Sequence, residues 1–297
     1  MTSGSCFAVG DFAVHVTCGD ARLALTNDGL ARPFVVADCR PDVRLHAGWT
    51  DEPIAATGTL LFDGGHAWRL YADAADRLFT FRSATNEQFP YKSARFTADF
   101  TEGTVTLYRP HFAHQPDATI DPLDYPLDEL LMIHLLAQGR GVAVHGCGLL
   151  DTGGRAYVFA GQSGAGKSTL AKLCAGTPGL TLLSDERLVV RTDRPRPMVY
   201  GTPWHGDARF VSAASGPLAA IFFLTHAPAH ALLPVAGALA AARLFACAFL
   251  PFHDAAAVDR TIGAVGRATA AVPCYELQFT PERTVVDLLT RAAGLAV

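Results

Sequence analysis

The sequence has few charged residues, and basic residues do not outnumber acidic ones. Lysine and arginine together number 24 and aspartate and glutamate 28, so charged residues make up only 18% of the 297-residue chain. Proteins dedicated to binding nucleic acid usually present a strongly basic surface, and this composition argues against such a partner. Because 50% of the residues are hydrophobic, the composition also excludes an intrinsically disordered chain.

Long hydrophobic runs are missing as well. The most apolar stretch, Ala236 to Phe252, is interrupted by Arg243 and falls short of the roughly 20 residues that a membrane-spanning helix requires. The N-terminus has no basic region and reaches Asp11 before a signal-like apolar run can build. We therefore expect a soluble, cytoplasmic protein without a membrane partner.

The cysteines form no Cys-x-x-Cys pair and show no cysteine and histidine spacing typical of a metal site. Their seven positions are scattered along the chain: Cys6, Cys18, Cys39, Cys147, Cys174, Cys247 and Cys274. Cytoplasmic proteins keep such thiols reduced. We expect the reduced state here.

Residues 1–118 are predicted to form an antiparallel β-rich domain. Short runs rich in β-branched and aromatic residues follow one another from Phe7 to Arg109 without a helical period. An Asp-Gly-Gly turn at 63–65 is typical of the connections between such strands. The prolines and aspartates between His111 and Pro122 predict a linker. This domain has no recognised catalytic motif, and acceptor recognition is the role expected for it.

Residues 119–297 show alternating helix and strand patterns. Pro126 stands at the start of a helical repeat of leucines that Gly139 ends. Two apolar strands, at 141–150 and 155–160, follow, and a glycine-rich loop then opens a helix. The predicted fold class is therefore α/β, with an N-terminal antiparallel β-rich domain followed by a P-loop α/β domain.

The strongest functional signal is a complete G-x-x-x-x-G-K-[ST] motif between an apolar strand and an amphipathic helix. Its glycines let backbone N–H groups wrap a phosphate at the start of the helix. Lys167 would reach the β- and γ-phosphates, and the Ser168 hydroxyl would bind Mg²⁺. The motif predicts ATP and Mg²⁺ as cofactors, with nucleotide bound by Gly161, Gln162, Ser163, Gly164, Ala165, Gly166, Lys167, Ser168 and Thr169.

Two carboxylates and a histidine stand at predicted strand ends. Asp185 and Glu186 follow an apolar strand 18 positions after Lys167 (185 minus 167). In a parallel sheet this strand end would share an edge with the loop, where acids can hold Mg²⁺ and activate an attacking hydroxyl. A solvated acidic turn is the alternative. His145 also ends an apolar strand, and a lone histidine there is more often structural.

The order of His145-Gly146, the loop Gly161 to Thr169, and Ser184-Asp185-Glu186-Arg187 resembles the catalytic domain of the HPr kinase/phosphorylase family. The resemblance covers about residues 130 to 289, and that family shares its P-loop fold with phosphoenolpyruvate carboxykinase. It implies that Asp185 is the catalytic base or a water-linked Mg²⁺ partner. It further implies that Glu186 is a second metal-side carboxylate and that His145 lies near the γ-phosphate.

The sequence departs from the family's pattern in two places. Glu186 stands where the family has a second aspartate, which leaves open which carboxylate touches the metal. The Leu-Glu-Ile-Arg-Gly-Leu-Gly signature, tied to HPr as partner, is absent, and Tyr200 to Phe210 stands about where it should lie. In that segment Arg209 could offset charge on the transferred oxygens, or the segment is a surface loop anchored by its aromatic residues.

These observations favour an ATP- and Mg²⁺-dependent kinase that phosphorylates a hydroxyl of a peptide, a protein or a small molecule. The alternative is a nucleotide-binding regulatory or transport ATPase, against which the chain has no LSGGQ-like sequence. A carboxykinase is less favoured, because the chain is short and offers few additional basic residues for a dicarboxylate. The sequence leaves the acceptor and homo-oligomerisation open.

Overall fold

The computed structural model describes residues 4–26, 29–65, 67–83 and 89–296. Its contacts separate the chain into two compact units, Met1–Leu131 and Met132–Val297, which we call unit 1 and unit 2. The division falls inside helix α1 (Leu127–Leu136). It lies 13 residues (131 minus 118) beyond the boundary suggested by the sequence.

Unit 1 is built on one twisted sheet. Within the described residues its strands are β1 (Gly4–Val9), β2 (Phe12–Cys18), β3 (Val35–Val36), β4 (Val43–Thr50), β5 (Thr59–Asp63), β6 (Trp68–Asp73), β7 (Asp76–Phe81), β8 (Lys92–Phe96) and β9 (Glu102–Tyr108). They lie in the order β3-β1-β2-β4-β9-β8-β7-β6-β5. The pairs of β4 with β2 and with β9 are parallel, and the others are antiparallel.

Strict alternation along the strands gives this sheet one apolar and one polar face. In β2, Phe12, Val14 and Val16 are buried, whereas His15 and Thr17 lie on the opposite face because successive side chains of a strand point to opposite sides. Phenylalanines of β7 and β8 continue the buried face. One face of the sheet therefore carries the core of unit 1, and the other presents polar groups.

The prediction of uniformly reduced cysteines is wrong for two residues of unit 1. Cys6 on β1 is joined by a disulfide to Cys39 in the segment that follows β3. The two cysteines are separated by 33 positions in the sequence, and the residues between them contain no pattern that marks this pairing, because it is made by the return of the chain beside β1. The other five cysteines are free and buried.

Unit 2 contains strands and helices in similar amounts. Within the described residues its strands are β10 (Gly141–Leu150), β11 (Ala156–Ala160), β12 (Thr181–Ser184), β13 (Arg187–Arg191), β14 (Met198–Tyr200), β15 (Ser215–His226), β16 (Ala231–Val235), β17 (Ala248–Phe249) and β18 (Cys274–Phe279). Its helices, after α1, are α2 (Lys167–Cys174), α3 (Gly237–Phe245), α4 (Ala255–Ala271) and α5 (Thr284–Ala293).

The predicted α/β class is wrong, and so is the prediction of a P-loop α/β domain for the second part of the chain. Strands account for 38% of the residues and helices for 21%, in two large sheets. In unit 2 most described pairs are antiparallel, and only β11 with β15 and β15 with β18 are parallel. Strands β12 to β15 follow one another without an intervening helix, whereas a parallel α/β sheet needs a crossover helix between successive strands.

Pairing of β11 with β15 closes the strands β11-β10-β13-β14-β15 into a five-stranded barrel. Strand β11 is buried along its whole length because both of its faces are covered. Val158 packs in a cluster that includes residues of α3 and α4, and Phe159 packs in one that includes residues of α2 and α5. A strand that is buried on both faces needs apolar residues at successive positions rather than an alternation of apolar and polar residues.

Asp151, after β10, ties the C-terminal segment to the barrel. Its carboxylate accepts hydrogen bonds from the Arg155 side chain, the Tyr157 hydroxyl and the Ala296 backbone N–H.

Within the described ranges, no helix combines the length and the apolar character needed to cross a membrane.

Candidate phosphate-binding site

The glycine-rich loop follows β11 and leads directly into α2, as its sequence predicts. Gly164 and Gly166 have φ angles of +82° and +99°, the left-handed region that side chains with a Cβ rarely adopt. A Cβ on Gly161 would lie 2.7 Å from the Cβ of Ala165, so the loop could not close as tightly with a larger residue there. The local strand, loop and helix are therefore present although the surrounding domain is not of the predicted class.

Lys167 is folded back over the start of this loop. Its Nζ donates hydrogen bonds to the carbonyl oxygens of Gly161 and Gln162, at 3.0 and 3.1 Å. Burial lowers the pKa of the Lys167 ammonium, and the nearby Glu186 carboxylate opposes that shift. The cation is thus held at one defined end of the loop.

A pocket of about 460 Å³ opens beside the loop. It is lined by His145, Ser163, Gly164, Gly166, Lys167, Ser168, Thr169, Glu186, His205, Gly206, Asp207 and His226. The lysine, the hydroxyls of the first turn of α2, the two carboxylates of Glu186 and Asp207, and three histidines therefore share a single space. Of the residues that the sequence singled out, His145, Glu186 and loop residues 163, 164 and 166–169 come together here, whereas Gly161, Gln162 and Ala165 do not line this pocket.

His145 and Glu186 lie side by side because β10 and β13 are antiparallel neighbours in which His145 pairs with Arg187. The Nε2 atom of His145 is 3.1 Å from Oε1 of Glu186, and Nη1 of Arg187 is 3.5 Å from the same oxygen. The pKa of His145 is lowered, mainly by burial and then by the charge of Lys167, while Glu186 acts in the opposite direction. The neutral imidazole is favoured beside the loop.

Asp185 does not line this pocket. Its side chain is completely buried, and its carboxylate accepts hydrogen bonds from the backbone N–H groups of Gly206, Ala208 and Phe210, at 3.1, 2.9 and 3.2 Å. The turn between β12 and β13 sends the two neighbouring carboxylates in different directions. The geometry thus separates Asp185 from the space in which a base or a metal partner was expected.

Arg209 also lies outside the pocket. It is exposed, has a φ of +57°, and donates its backbone N–H to the carbonyl oxygen of Gly206. From the same segment it is His205 and Asp207 that reach the pocket. The left-handed turn at Arg209 is a feature of the backbone that a residue pattern does not reveal.

His226 is the pocket residue that the sequence did not single out. It ends β15, and its Nε2 atom donates to the carbonyl oxygen of Gly164 at 2.9 Å. Its ring stacks on Phe279, with 6.0 Å between ring centroids. Because β15 runs parallel to β11, its last residue meets the edge where the loop begins; recognising this pairing from the sequence would have identified His226.

A second, more apolar pocket of about 440 Å³ borders the opposite side of the loop. It is lined by Ala160, Gly161, Gln162, Ser163, Gly164, Ala165, Phe223, Leu224, Arg243, Ala246 and Cys247. The Arg243 guanidinium is held by Glu276 at 2.7 Å and lies over the Phe223 ring. This pocket borders the loop along residues 161–165, a stretch that includes the two carbonyl groups that hold Lys167 Nζ.

The oxygen donors of the first pocket fit a magnesium ion bound together with phosphates. Among the described residues no group of three or more histidine, cysteine, aspartate or glutamate side chains could hold a metal by itself. Mg²⁺ does not need such a cage, because it usually takes one or two carboxylates and completes its shell with water and phosphate oxygens. The Ser168 hydroxyl and the Glu186 carboxylate both line the pocket and supply suitable ligands.

Comparisons of the chain with protein-family models and with curated proteins found no match.

Proposed function

We propose that the protein is an ATP- and Mg²⁺-dependent kinase that transfers a γ-phosphoryl group to a hydroxyl of a peptide, a protein or a small molecule. One observation carries the proposal: the glycine-rich loop, Lys167, Ser168, Glu186 and His145 line the same pocket. Each of these groups has a part in phosphoryl transfer, in which catalysis is mainly positioning and stabilisation of charge.

The loop and the start of α2 would hold the nucleotide phosphates. Backbone N–H groups at a helix N-terminus bind anions, because they have no partner within the helix and the helix dipole adds partial positive charge. Lys167 is held at Gly161 and Gln162, so this end of the loop would receive the β- and γ-phosphates. The α-phosphate would then lie nearer Thr169.

Ser168 and Glu186 would hold Mg²⁺, which when bound neutralises charge on the β- and γ-phosphate oxygens. His145, held 3.1 Å from Glu186, would help to fix the orientation of that carboxylate. The cationic side of the pocket, with Lys167 and Arg187, would oppose the negative charge of the phosphates.

The second pocket favours a kinase over an ATPase without an acceptor. It borders residues 161–162, where the γ-phosphate is expected, and an acceptor hydroxyl could approach from there. An ATPase needs only water at this position and would have no use for the space. The motif order that resembles the HPr kinase family supports the same choice, and dependence on ATP favours a cytoplasmic location.

Lys167→Ala provides the test, with Lys172→Ala as a matched control because Lys172 is exposed on the same helix. We expect Lys167→Ala to reduce ATP-dependent turnover about a hundredfold or more, the scale of losing one charge-stabilising donor, while the far-ultraviolet spectrum stays unchanged. ATP binding is measured by calorimetry, and ADP release with panels of serine peptides and small alcohols. A folded Lys167→Ala variant with the activity of the Lys172→Ala control would overturn the proposal.

A further inference from the structure

The two adjacent carboxylates at the turn between β12 and β13 have opposite surroundings. Asp185 is completely buried, whereas the Glu186 side chain is 26% exposed and lines the phosphate pocket. Neighbouring residues of the same charge type are therefore separated by the backbone into an inner and an outer position. Similar chemistry does not imply a similar role.

We propose that Glu186, rather than Asp185, is the carboxylate that meets the nucleotide phosphates and their metal, and that Asp185 is a positioning residue for the segment 205–210. The part of the proposal that concerns Glu186, which we call the Glu186 half, rests on the proposed function. The part that concerns Asp185, the Asp185 half, applies to the protein without any ligand.

The Asp185 carboxylate is occupied by backbone donors. Its Oδ1 atom accepts from the N–H groups of Gly206 and Phe210, and its Oδ2 atom accepts from that of Ala208. These hydrogen bonds fix three amides of one short segment on a buried charge. Three of the roughly four acceptor positions of this carboxylate are therefore occupied, and each N–H group left without its acceptor would cost stability.

The segment held by Asp185 forms part of the pocket wall. His205, Gly206 and Asp207 line the pocket, and a Cβ added to Gly206 would lie 3.0 Å from Oδ2 of Asp185 and 3.0 Å from Oε2 of Glu186. Only a glycine lets the backbone approach both carboxylates so closely. Asp185 therefore acts on the pocket through the position of residues 205–207.

Glu186 has the surroundings expected of a ligand-facing carboxylate. Its charged or polar neighbours are His145 at 3.1 Å and Arg187 at 3.5 Å, and of the nearby cations Lys167 lines the same pocket. Its Oε2 atom faces Gly206, which has no side chain to cover it. These neighbours orient the carboxylate and leave it bordering the pocket, where Ser168 supplies a second oxygen.

The Glu186 half is tested by measuring ATP affinity with Mg²⁺ and with EDTA in the wild type, Glu186→Gln and Asp185→Asn. The dissociation constant for ATP in EDTA, divided by that in Mg²⁺, reports how much the metal contributes to binding, independently of turnover. We expect Glu186→Gln to reduce this ratio about tenfold or more, since a charged ligand becomes neutral, and Asp185→Asn to leave it within about threefold. An unchanged ratio in Glu186→Gln overturns the proposal even if Asp185→Asn does not fold.

The Asp185 half is tested by hydrogen exchange of the Gly206, Ala208 and Phe210 amides without nucleotide. We expect Asp185→Asn to speed their exchange at least tenfold and Glu186→Gln to leave it unchanged. If the protein is active, Asp185→Asn should lower kcat more than tenfold with the KM for ATP within about threefold. Because a loss of folded protein would also lower the apparent kcat at constant KM, kcat is expressed per mole of folded protein, measured from the far-ultraviolet spectrum.

The outcomes separate this inference from the proposed function. A wild type that binds no ATP would overturn the kinase proposal and the Glu186 half, while the exchange measurement would still decide the role of Asp185. ATP binding whose dependence on Mg²⁺ is lost in Asp185→Asn but kept in Glu186→Gln would support a kinase and overturn the inference.

Discussion

Unit 1 and unit 2 each contain a concavity of similar size but of different chemistry. The one in unit 1 measures about 440 Å³ and the phosphate pocket of unit 2 about 460 Å³. The first is lined mainly by strand side chains of the polar sheet face, among them His15, Arg44, His46 and Arg95. The second is lined by loops at strand ends and by the first turn of a helix. Volume alone therefore does not distinguish a binding site.

The charges of the unit 1 concavity are largely matched within the sheet. Arg95 forms ion pairs with Asp73 and Asp76, at 2.5 and 3.7 Å, and Arg44 lies opposite Glu102 in the register of β4 and β9. In unit 2, by contrast, the pocket is lined by loop residues and Lys167, and its two carboxylates, Glu186 and Asp207, come from other segments. Regular strands alternate their side chains and tend to pair them, whereas irregular segments can turn several groups towards one point.

The largest effect that we expect is the loss of stability of unit 1 when its disulfide is removed. The Cys6–Cys39 disulfide closes a loop with a sequence separation of 33, for which the chain-entropy model gives about 3–4 kcal/mol. We expect Cys6→Ser with Cys39→Ser to lower the stability of unit 1 to urea by about this amount. Trp49 and Trp68 report on unit 1 and Trp204 on unit 2, so a Trp204→Phe background isolates the signal of unit 1.

The control for the disulfide is a reducing agent. Reductant should shift the unfolding midpoint of the parent protein and leave the double serine variant unaffected. ATP binding by unit 2 should be the same in both. If reductant does not alter the parent, the two cysteines contribute nothing through a covalent bond.

A smaller effect is expected at Asp151, which anchors the C-terminal segment of unit 2. Burial acts to raise the pKa of this carboxyl, but the N–H groups of Arg155 and Ala296 and the Tyr157 hydroxyl outweigh it, and the pKa lies below its ordinary value. Because the pKa is lower in the folded state, the ionised carboxylate stabilises the fold at pH values above the unfolded-state pKa of about 3.9. This stabilisation is lost as the pH falls through the folded-state pKa. Asp151→Asn should therefore cost about 2 kcal/mol at pH 7.

The difference in stability between Asp151→Asn and wild type should depend on pH. Below about pH 4 the difference between Asp151→Asn and wild type should shrink, because the wild-type carboxyl is then itself being protonated. Asp259→Asn on α4 is the matched control, since Asp259 is exposed and surface substitutions usually change stability by less than about 0.5 kcal/mol. A difference that is constant from pH 3 to pH 7 would contradict the electrostatic origin.

The smallest effect compares the two concavities directly. His226→Ala removes the hydrogen bond to Gly164 and should weaken ATP binding about tenfold, since a single hydrogen bond contributes about 1 kcal/mol and the loop also loses its fixed position. Arg44→Ala in the concavity of unit 1 should change ATP affinity less than twofold. Calorimetry of both variants tests the contrast, and a stronger effect of Arg44→Ala would reverse our assignment of the two concavities.

Most of the candidate site could be predicted because its parts are local. The glycines of the loop are needed for left-handed φ angles at Gly164 and Gly166, and an apolar strand and a helix flank them in the chain. The position of Glu186 at a strand end was visible in the same way, whereas the prediction that His145 ends a strand is wrong, because His145 lies in the middle of β10. The β-rich character of the first part was also predictable, because alternation along a strand is a property of neighbouring residues.

The class of the second part was not predictable from the same patterns. Short apolar runs such as Ala156–Ala160 are the same whether their partners are parallel or antiparallel, and only the pairing of β11 with β15 closes the barrel. Helices α2 to α5 cover its faces, and in the sequence they alternate with strands in a way that suggests an α/β sheet.

The sequence by itself determined the glycine-rich loop and the two-faced strands of unit 1, since these depend on backbone freedom and side-chain alternation within a few residues. The tertiary structure alone decided that Cys6 meets Cys39, that His226 reaches the loop, and that Asp185 turns inward while Glu186 borders the pocket. Each of these depends on contacts between segments far apart in the chain. No local pattern encodes such contacts, because the residue that completes them is brought there by the pairing of other strands.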